Sequence, residues 1–340
     1  MADEVSLKDV ADRAGVSLAT ASRALRGLSS VAAPTRDKVE LAARELGYVA
    51  AFNASSFASG KTNSIGFVVP FVDRWFFSKV IVNAEQELRR YGFDLVLYSV
   101  GLDDEQRHRF FTELPVRRRV DALAVLCLPL RDHEIAALEQ LRIPIATLGV
   151  RVSEHPGVRI DDYAAATTAV HHLINLGHRD IGIITGQGNV DLGFTAGTDR
   201  LKAYQDTLRS AGVEPRAEWR ADGDFTAAGG DQAMSQLLSR FPAPTAVFAV
   251  SDEMAFGALG SLRRHGLRVP EDISLIGFDD HELAEPMELT TVAQPVPEQG
   301  RLLGRLLLEQ LSGPGAPQQD ILLPTHLAVR RSTARVSPVR

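Results

Sequence analysis

From Ser64 onward the sequence alternates short apolar runs with helical patterns, and this alternation restricts the fold more than any other feature. The apolar runs are Ile65–Val69, Leu95–Tyr98, Ala122–Leu126, Ile145–Leu148, Ile181–Thr185, Ala246–Val250 and Ser274–Phe278. Most precede a helical stretch: Phe77–Tyr91, Glu105–Leu114, His133–Leu141, Thr198–Ala211, Ala227–Ser239 and Asp252–His265. Short apolar runs of this kind suit strands covered on both faces, which implies parallel sheets with crossover helices. About 280 residues are too many for one open sheet, so the pattern predicts two lobes. The break falls near Ile160–Asp162, where one set of strands ends and a helix begins. Ligands of open parallel sheets bind at the carboxyl ends of the strands, which places the predicted site in the cleft between lobes.

The segment before Ser64 is built differently. Leu7–Ala14 reads as a short helix with Leu7, Val10, Ala11 and Ala14 on one face. Ser6 caps it, with Asp9 as its capping-box partner, and Gly15 ends it. Ser17 caps a second helix, Leu18–Leu25, which turns Ala21, Ala24 and Leu25 inward. Pro34 sits in the first turn of a third helix, which buries Val39, Ala42, Ala43 and Leu46 and stops at Gly47. Three short helices with a tight Ala-Gly-Val-Ser turn between the first two form a helix-turn-helix unit. The Ala-, Ser- and Asn-rich stretch that follows, Ala50–Thr62, reads as a linker that becomes helical only conditionally.

Composition narrows the function classes. Hydrophobic residues make up 45% of the 340 and charged residues 24%, an ordinary globular balance. The single cysteine, Cys127, excludes a disulfide within the chain and lies in an apolar run, which reads as a buried core thiol. The acidic start lacks an apolar h-region, and no run is long enough to span a bilayer, so the expectation is a soluble cytoplasmic protein. The formal charge of −6 argues against a chain that coats nucleic acid by charge. That charge is unevenly spread: residues 1–62 hold eight basic and seven acidic side chains, the remainder 29 and 36.

Motifs identify the family. Leu7-Lys8-Asp9-Val10-Ala11, Ala14-Gly15-Val16-Ser17, Thr20-Ala21-Ser22-Arg23 and the Leu46-Gly47-Tyr48 ending resemble the DNA-binding head of the LacI/GalR bacterial repressors. The resemblance continues through Leu176-Gly177-His178-Arg179, Gly223-Asp224-Phe225, Pro244-Thr245-Ala246, Ser251-Asp252-Glu253-Met254-Ala255, Gly266-Leu267-Arg268-Val269-Pro270 and Ile276-Gly277-Phe278-Asp279-Asp280. It implies a helix-turn-helix head (1–49), a hinge (50–62) and a two-lobed periplasmic-binding-protein-like α/β sensor (63–340). In the sensor, the N-lobe takes about 63–161 and 295–322, the C-lobe about 162–291 and 325–340.

The resemblance also implies site residues. Leu18, Ala19 and Arg23 hold the base-reading positions of the second helix, whose N-terminal end enters the major groove. Arg23 suits a bidentate contact to guanine, while Leu18 and Ala19 offer methyl contacts and shape. Ser6, Ser17, Thr20, Ser22 and Thr35 suit phosphate contacts, and Leu7 and Tyr48 complete the DNA-facing set. In the hinge, Phe57 takes the place of the family's leucine wedge, and Ala50-Ala51 replaces its Pro-Asn. In the cleft the implied effector residues are Arg200, Asp279, Phe225, Asp161, Ser251, Phe76 and Phe77. Arg200 and Asp279 suit a polyhydroxylated ligand, and Phe225 suits its flat face. At Gly149-Val150 the family more often has an acidic residue.

Competing chemistry finds little support. Gly186-Gln187-Gly188 is followed only by Gly193, so the dinucleotide fingerprint fails, and neither a phosphate-binding loop nor a hydrolase elbow is present. His171, His172 and His178 lack metal-ligand spacing, so neither metal nor cofactor is expected. The carboxylate pairs Asp103–Asp104 and Asp161–Asp162 sit at strand-to-helix junctions, where Asp is a favoured cap. The expected function is a homodimeric repressor of a catabolic or sugar-uptake operon. It would bind a near-palindromic double-stranded operator under control of a small-molecule effector, most simply a sugar. The alternative is a two-lobed solute-binding protein with no role on DNA. Ser332–Arg340 lacks leucine heptads, so no tetramerising coiled coil is expected.

Overall fold

The computed structural model describes residues 5–25, 30–48, 61–101, 103–152, 155–186, 195–313 and 319–336. The chain divides into two compact units, Met1–Thr62 and Asn63–Arg340.

The first unit contains α1 (Leu7–Ala14), α2 (Leu18–Leu25) and α3 (Ala33–Leu46). Each boundary has a local cause. The Ser6 hydroxyl accepts from the Asp9 amide while the Asp9 carboxylate accepts from the Ser6 amide, a complete capping box. Gly15 and Gly47 end α1 and α3 in the left-handed conformation, at φ of 67° and 66°, which returns their amides to the last turn. Ser17 accepts from the Thr20 amide at the start of α2. Val10, Ala11, Ala21, Ala24, Val39, Ala42 and Ala43 are buried together, joined by Val31, and Leu7, Val16, Leu46 and Tyr48 pack at the margin. Small residues at the centre let three short helices approach closely enough to share one core.

The second unit holds two six-stranded sheets. The first runs β11 (Asp320–Leu323), β5 (Gly157–Ile160), β4 (Ile145–Leu148), β3 (Ala122–Leu126), β1 (Ser64–Val69), β2 (Asp94–Ser99), with every pairing parallel. The second runs β12 (His326–Ala328), β10 (Thr290–Ala293), β9 (Ser274–Asp279), β8 (Ala246–Ala249), β6 (Ile181–Thr185), β7 (Arg220–Asp222), parallel except for β10 against β12. The chain passes between the sheets three times: after β5, after β10 and after β11.

Helices cover both faces of each sheet. In the first lobe α4 (Trp75–Arg89) and α11 (Val296–Leu311) bury Val80, Ala84, Leu88, Leu303 and Leu307 against Ile65, Phe67 and Ala124. The opposite face takes α5 (Asp104–Glu113) and α6 (Asp132–Glu139), which bury Phe110, Phe111 and Leu138 against Val68, Leu123 and Val125. The second lobe packs α7 (Asp162–Asn175), α8 (Thr195–Ser210), α9 (Ala227–Leu238) and α10 (Asp252–Arg264) around Ile183, Phe248, Ile276 and Phe278. Central strands covered on both faces explain why β1, β3, β6, β8 and β9 are buried at every position and largely apolar.

The structure adds strands that apolar runs alone do not announce. β7, β10, β11 and β12 are three or four residues long and carry Arg, Asp, Thr or His. Their conformation comes from the neighbour they pair with rather than from their own pattern. Cys127 is a correction. It lies at the carboxyl end of β3 with φ of 47° and is only partly buried, in the wall of a cavity, rather than deep in the core.

Candidate effector cavity and nucleic-acid interface

The two sheets present their carboxyl ends to a common cavity of about 700 Å³, counting its open mouth. Phe71 follows β1, Cys127 follows β3, Gly149 follows β4 and Ile160 ends β5. From the second lobe come Ser251 after β8, Asp279 at the end of β9 and Gln294 after β10. Two glycines keep the walls thin. A Cβ on Gly149, which adopts φ of 76°, would stand 2.5 Å from the Cys127 sulfur. A Cβ on Gly186 would stand 1.9 Å from the Phe225 ring, so this glycine lets the ring lie against the end of β6.

Arg200 on α8 is almost fully buried and already engaged. Its guanidinium donates to Asp162 at 2.7 and 2.8 Å and to the Val250 carbonyl at 2.6 Å, and it lies 3.5 Å above the Phe278 ring. Asp279 is equally buried and sits at φ of 123°, a backbone conformation costly for any side-chain-bearing residue. It accepts from Gln294 at 2.6 Å, and Gln294 accepts from Gln299 at 2.8 Å. Burial pushes the Asp279 carboxyl up to about 7, against the pull of the Arg200 charge and the Gln294 hydrogen bond. Behind it, Asp252 has no exposed surface and accepts from the Thr291 hydroxyl and the His281 amide. Burial and the neighbouring Asp279 charge raise its pKa as well. Two cations, Arg74 and Arg200, therefore face three carboxyl groups, Asp162, Glu253 and Asp279. Burial favours the protonated forms of Asp279 and Glu253, which brings the lining closer to charge balance and suits an uncharged polar molecule.

Six of the seven effector residues read from the sequence line this cavity: Phe76, Phe77, Arg200, Phe225, Ser251 and Asp279. Phe77 is also core, being buried against β1, and Ser251 also caps α10 by accepting from the Met254 amide. Asp161 is a correction. Its carboxylate accepts from the Ala164 amide as the exposed cap of α7, and Asp162, one residue on, lines the cavity and pairs with Arg200. Asp161 stands before the helix in an extended conformation, with φ of −92° and ψ of 92°, and Asp162 is the first helical residue. Asp103 is a cap in the same way, accepting from Gln106. Sequence reasoning noted Gly149 only as a departure from the family's acidic residue, and missed Cys127 and Gln294, although all three directly follow a strand. The position after an apolar run, read strictly, marks the first two; Gln294 follows β10, which carries no such run.

In the first unit, Ser17, Leu18, Ala19 and Arg23 are exposed along the start and outer side of α2, and Ser22 is half-buried. Leu18 is 53% exposed, a large apolar side chain that the head core does not claim. Ser17 shares a hydrogen bond of 2.8 Å with the Thr20 hydroxyl. Ser6 is exposed beside them in sequence at the α1 cap, while Thr35 is half-buried in the first turn of α3. Leu7 and Tyr48 pack against the core with part of each left accessible. Phe57 and the linker up to position 60 lie outside the described residues. Among the described residues no cluster of His, Cys, Asp and Glu is arranged to hold a metal, and no helix is long and apolar enough to cross a membrane.

Two family models match the chain. A family model described as bacterial regulatory proteins, lacI family, matches residues 6–50, and one described as periplasmic binding protein-like domain matches residues 170–333. The chain is 37% identical over 333 residues to the HTH-type transcriptional repressor CytR of Escherichia coli strain K12, with 96% of each chain covered. It is similar to a lac repressor dimer bound to operator and the anti-inducer ONPF, at a TM-score of 0.82 and 29% identity, covering 98% of this chain and 100% of that one. It is also similar to a complex of the transcriptional regulator CelR with cellobiose, at a TM-score of 0.70 and 33% identity, covering 96% and 99%.

Proposed function

We propose that this chain, which belongs to the LacI family of bacterial transcriptional regulators, is a repressor that reads a near-palindromic operator as a homodimer and releases or grips it according to a sugar held between its lobes. It is a DNA-binding regulator and not an enzyme. Residues 1–49 form the reading head, 50–62 the hinge and 63–340 the sensor. The observation that carries the proposal is one chain holding two unsatisfied surfaces: an exposed α2 start bearing Arg23 and Leu18, and a polar-and-aromatic cavity at the carboxyl ends of two sheets.

Each half supports a role. The N-terminal end of α2 has the shape and side chains to enter a major groove, with Arg23 to guanine and the hydroxyls of Ser6, Ser17, Thr20, Ser22 and Thr35 to phosphates. Phe57 would serve as the minor-groove wedge of the hinge. The cavity offers Phe76 and Phe225 for a flat apolar face, and Asp279, Ser251 and the free donors of Arg200 for hydroxyls. The near-balanced charge of its lining and a relative held with cellobiose both favour a neutral sugar. Such a repressor works in the cytoplasm and controls a catabolic or sugar-uptake operon.

The test is equilibrium binding of the full chain to a palindromic duplex selected from a randomised library, at several salt concentrations. Arg23→Ala should weaken the selected duplex by about 1–3 kcal/mol and a random duplex far less. Equal binding of every duplex by Arg23→Ala and the parent would overturn the proposal. A thermal-shift screen of neutral sugars then identifies the effector, since a ligand at a hundred times its Kd stabilises the fold by about 2.7 kcal/mol. Coupling is reciprocal, so a sugar that weakens operator binding must itself bind less well to the operator complex.

A further inference from the structure

Trp75, at the start of α4, is not among the cavity's lining residues but reaches across the cleft beside it. The Trp75 amide donates to the Glu253 carboxylate at 3.2 Å, so a side chain of the second lobe caps a helix of the first. The Trp75 indole N–H donates to Glu282, and its ring lies 4.7 Å from the His281 ring, tilted by 33°. Lys79, one turn along α4, pairs with the same Glu282 at 3.1 Å. None of the cavity chemistry needs Trp75, and its neighbours Arg74 and Phe76 are the residues that line the site. A large aromatic side chain with a satisfied polar edge, set across a cleft and engaging three residues of the opposite lobe, ties the lobes together at one point.

We infer that Trp75 is a cross-cleft clasp whose release from Glu253, His281 and Glu282 is the step that opens the cavity to ligands. The three contacts are a backbone cap, a ring stack and a charge-assisted hydrogen bond, and all are broken by the same separation of the lobes. Glu253 gives the clasp a link to occupancy. Glu253 also lines the cavity, so a ligand that draws its side chain inward takes the acceptor away from the Trp75 amide. The clasp concerns how the cleft opens and holds for any occupant. It goes beyond the regulatory reading, and its test needs neither DNA nor effector.

The chain supplies its own reporter. Cys127 is the lone cysteine and faces the cavity, and burial pushes its thiol up to about 12. It should therefore alkylate slowly with iodoacetamide while the cleft is shut, and faster when opening hydrates it. Glu282→Ala removes the acceptor for both Trp75 and Lys79. Trp75→Phe removes the indole N–H together with the pyrrole ring, and keeps one aromatic ring and the backbone amide bond to Glu253. Both should raise the Cys127 alkylation rate of the full chain several-fold at fixed pH, and the double variant should rise no further than Glu282→Ala alone. Unchanged rates in both single variants overturn the clasp, as does full additivity in the double. A second measurement guards against a folding defect. Trp219 is buried, so in a Trp219→Phe chain the remaining emission is that of Trp75. Acrylamide quenching of that emission should rise on adding Glu282→Ala while the unfolding transition stays in place. Flat quenching, or a rise only where the chain unfolds, also overturns it.

Discussion

Gly186 and Phe225 show how little space the cavity leaves at the scale of one atom. The Phe225 ring occupies the volume that any side chain at position 186 would need. Gly186→Ala should displace the ring, costing about 1–3 kcal/mol by overpacking. Adding Phe225→Ala should restore part of that loss, a non-additivity readable from thermal unfolding of the four chains in the cycle. Asp279 makes a second prediction at this scale. The folded state holds its proton up to about pH 7, whereas the unfolded chain releases it near the ordinary aspartate value of 3.8. The folded state thus binds more protons between those values. The stability this group contributes is present at low pH and is lost as pH rises from about 4 through about 7. The carboxyl groups of Asp162, Asp252 and Glu253 and the Arg200 guanidinium surround it, and buried histidines elsewhere act in the opposite direction. The comparison is therefore between wild type and Asp279→Asn across pH 4.5 to 8. Stability of the wild type relative to the variant should fall with rising pH, and parallel curves would contradict the assignment.

Helices in this protein differ in where their stability comes from. In the head the signals are local: Ser6, Gly15, Pro34 and Gly47 each act within one turn of the residues they fix, so all three helices are legible in the sequence almost to the residue. In the lobes, strands such as Thr290–Ala293 and Arg220–Asp222 are held by β9, β12 and β6, partners distant in sequence, and no local pattern reveals them. The same limit applies to the site. A run such as Ala122–Leu126 shows where a strand ends, but which of the next side chains faces the cleft depends on the turn that follows, as Cys127 and Asp162 illustrate. The α5–α6 pair is an intermediate case. Its helices are legible, but the buried ion pair joining them is not: Arg107 and Glu134 are 2% and 1% exposed and meet at 2.6 and 2.7 Å. Glu134 also accepts from the Arg131 amide at the start of α6, and Arg107 donates to the Pro129 carbonyl. Glu134→Ala alone should cost about 3–5 kcal/mol, because it strands a buried guanidinium. Arg107→Met with Glu134→Leu should cost less than that single change, measured by denaturant unfolding. A double variant worse than the single would show that the pair holds the helices by more than mutual neutralisation.

Charge separates the two units of the molecule more sharply than composition does. The whole chain carries −6, yet residues 1–62 carry eight basic and seven acidic side chains while the remainder carries 29 and 36. So nearly neutral a head is drawn only weakly to phosphates as a whole, and in the proposed reading base contacts from α2 supply its selectivity. The head's acids must then set how weakly it holds random DNA. Asp9 and Glu45 are committed to the Ser6 cap and to Arg13. Asp12, Asp37 and Glu40 are exposed and make no ion pair among the described residues. Replacing them together, as Asp12→Asn, Asp37→Asn and Glu40→Gln, leaves the head core and its caps intact. It should raise affinity for a random duplex by about tenfold at 50 mM salt, and selectivity for the chosen operator should stay unchanged because both duplexes gain alike. The Debye length is about 10 Å at 0.1 M, so the gain should shrink markedly by 200 mM. Fluorescence anisotropy on both duplexes at the two salt concentrations decides the matter. A triple variant that binds random DNA no more tightly at 50 mM would mean that these acids face away from the phosphates and that something other than charge holds non-specific binding down.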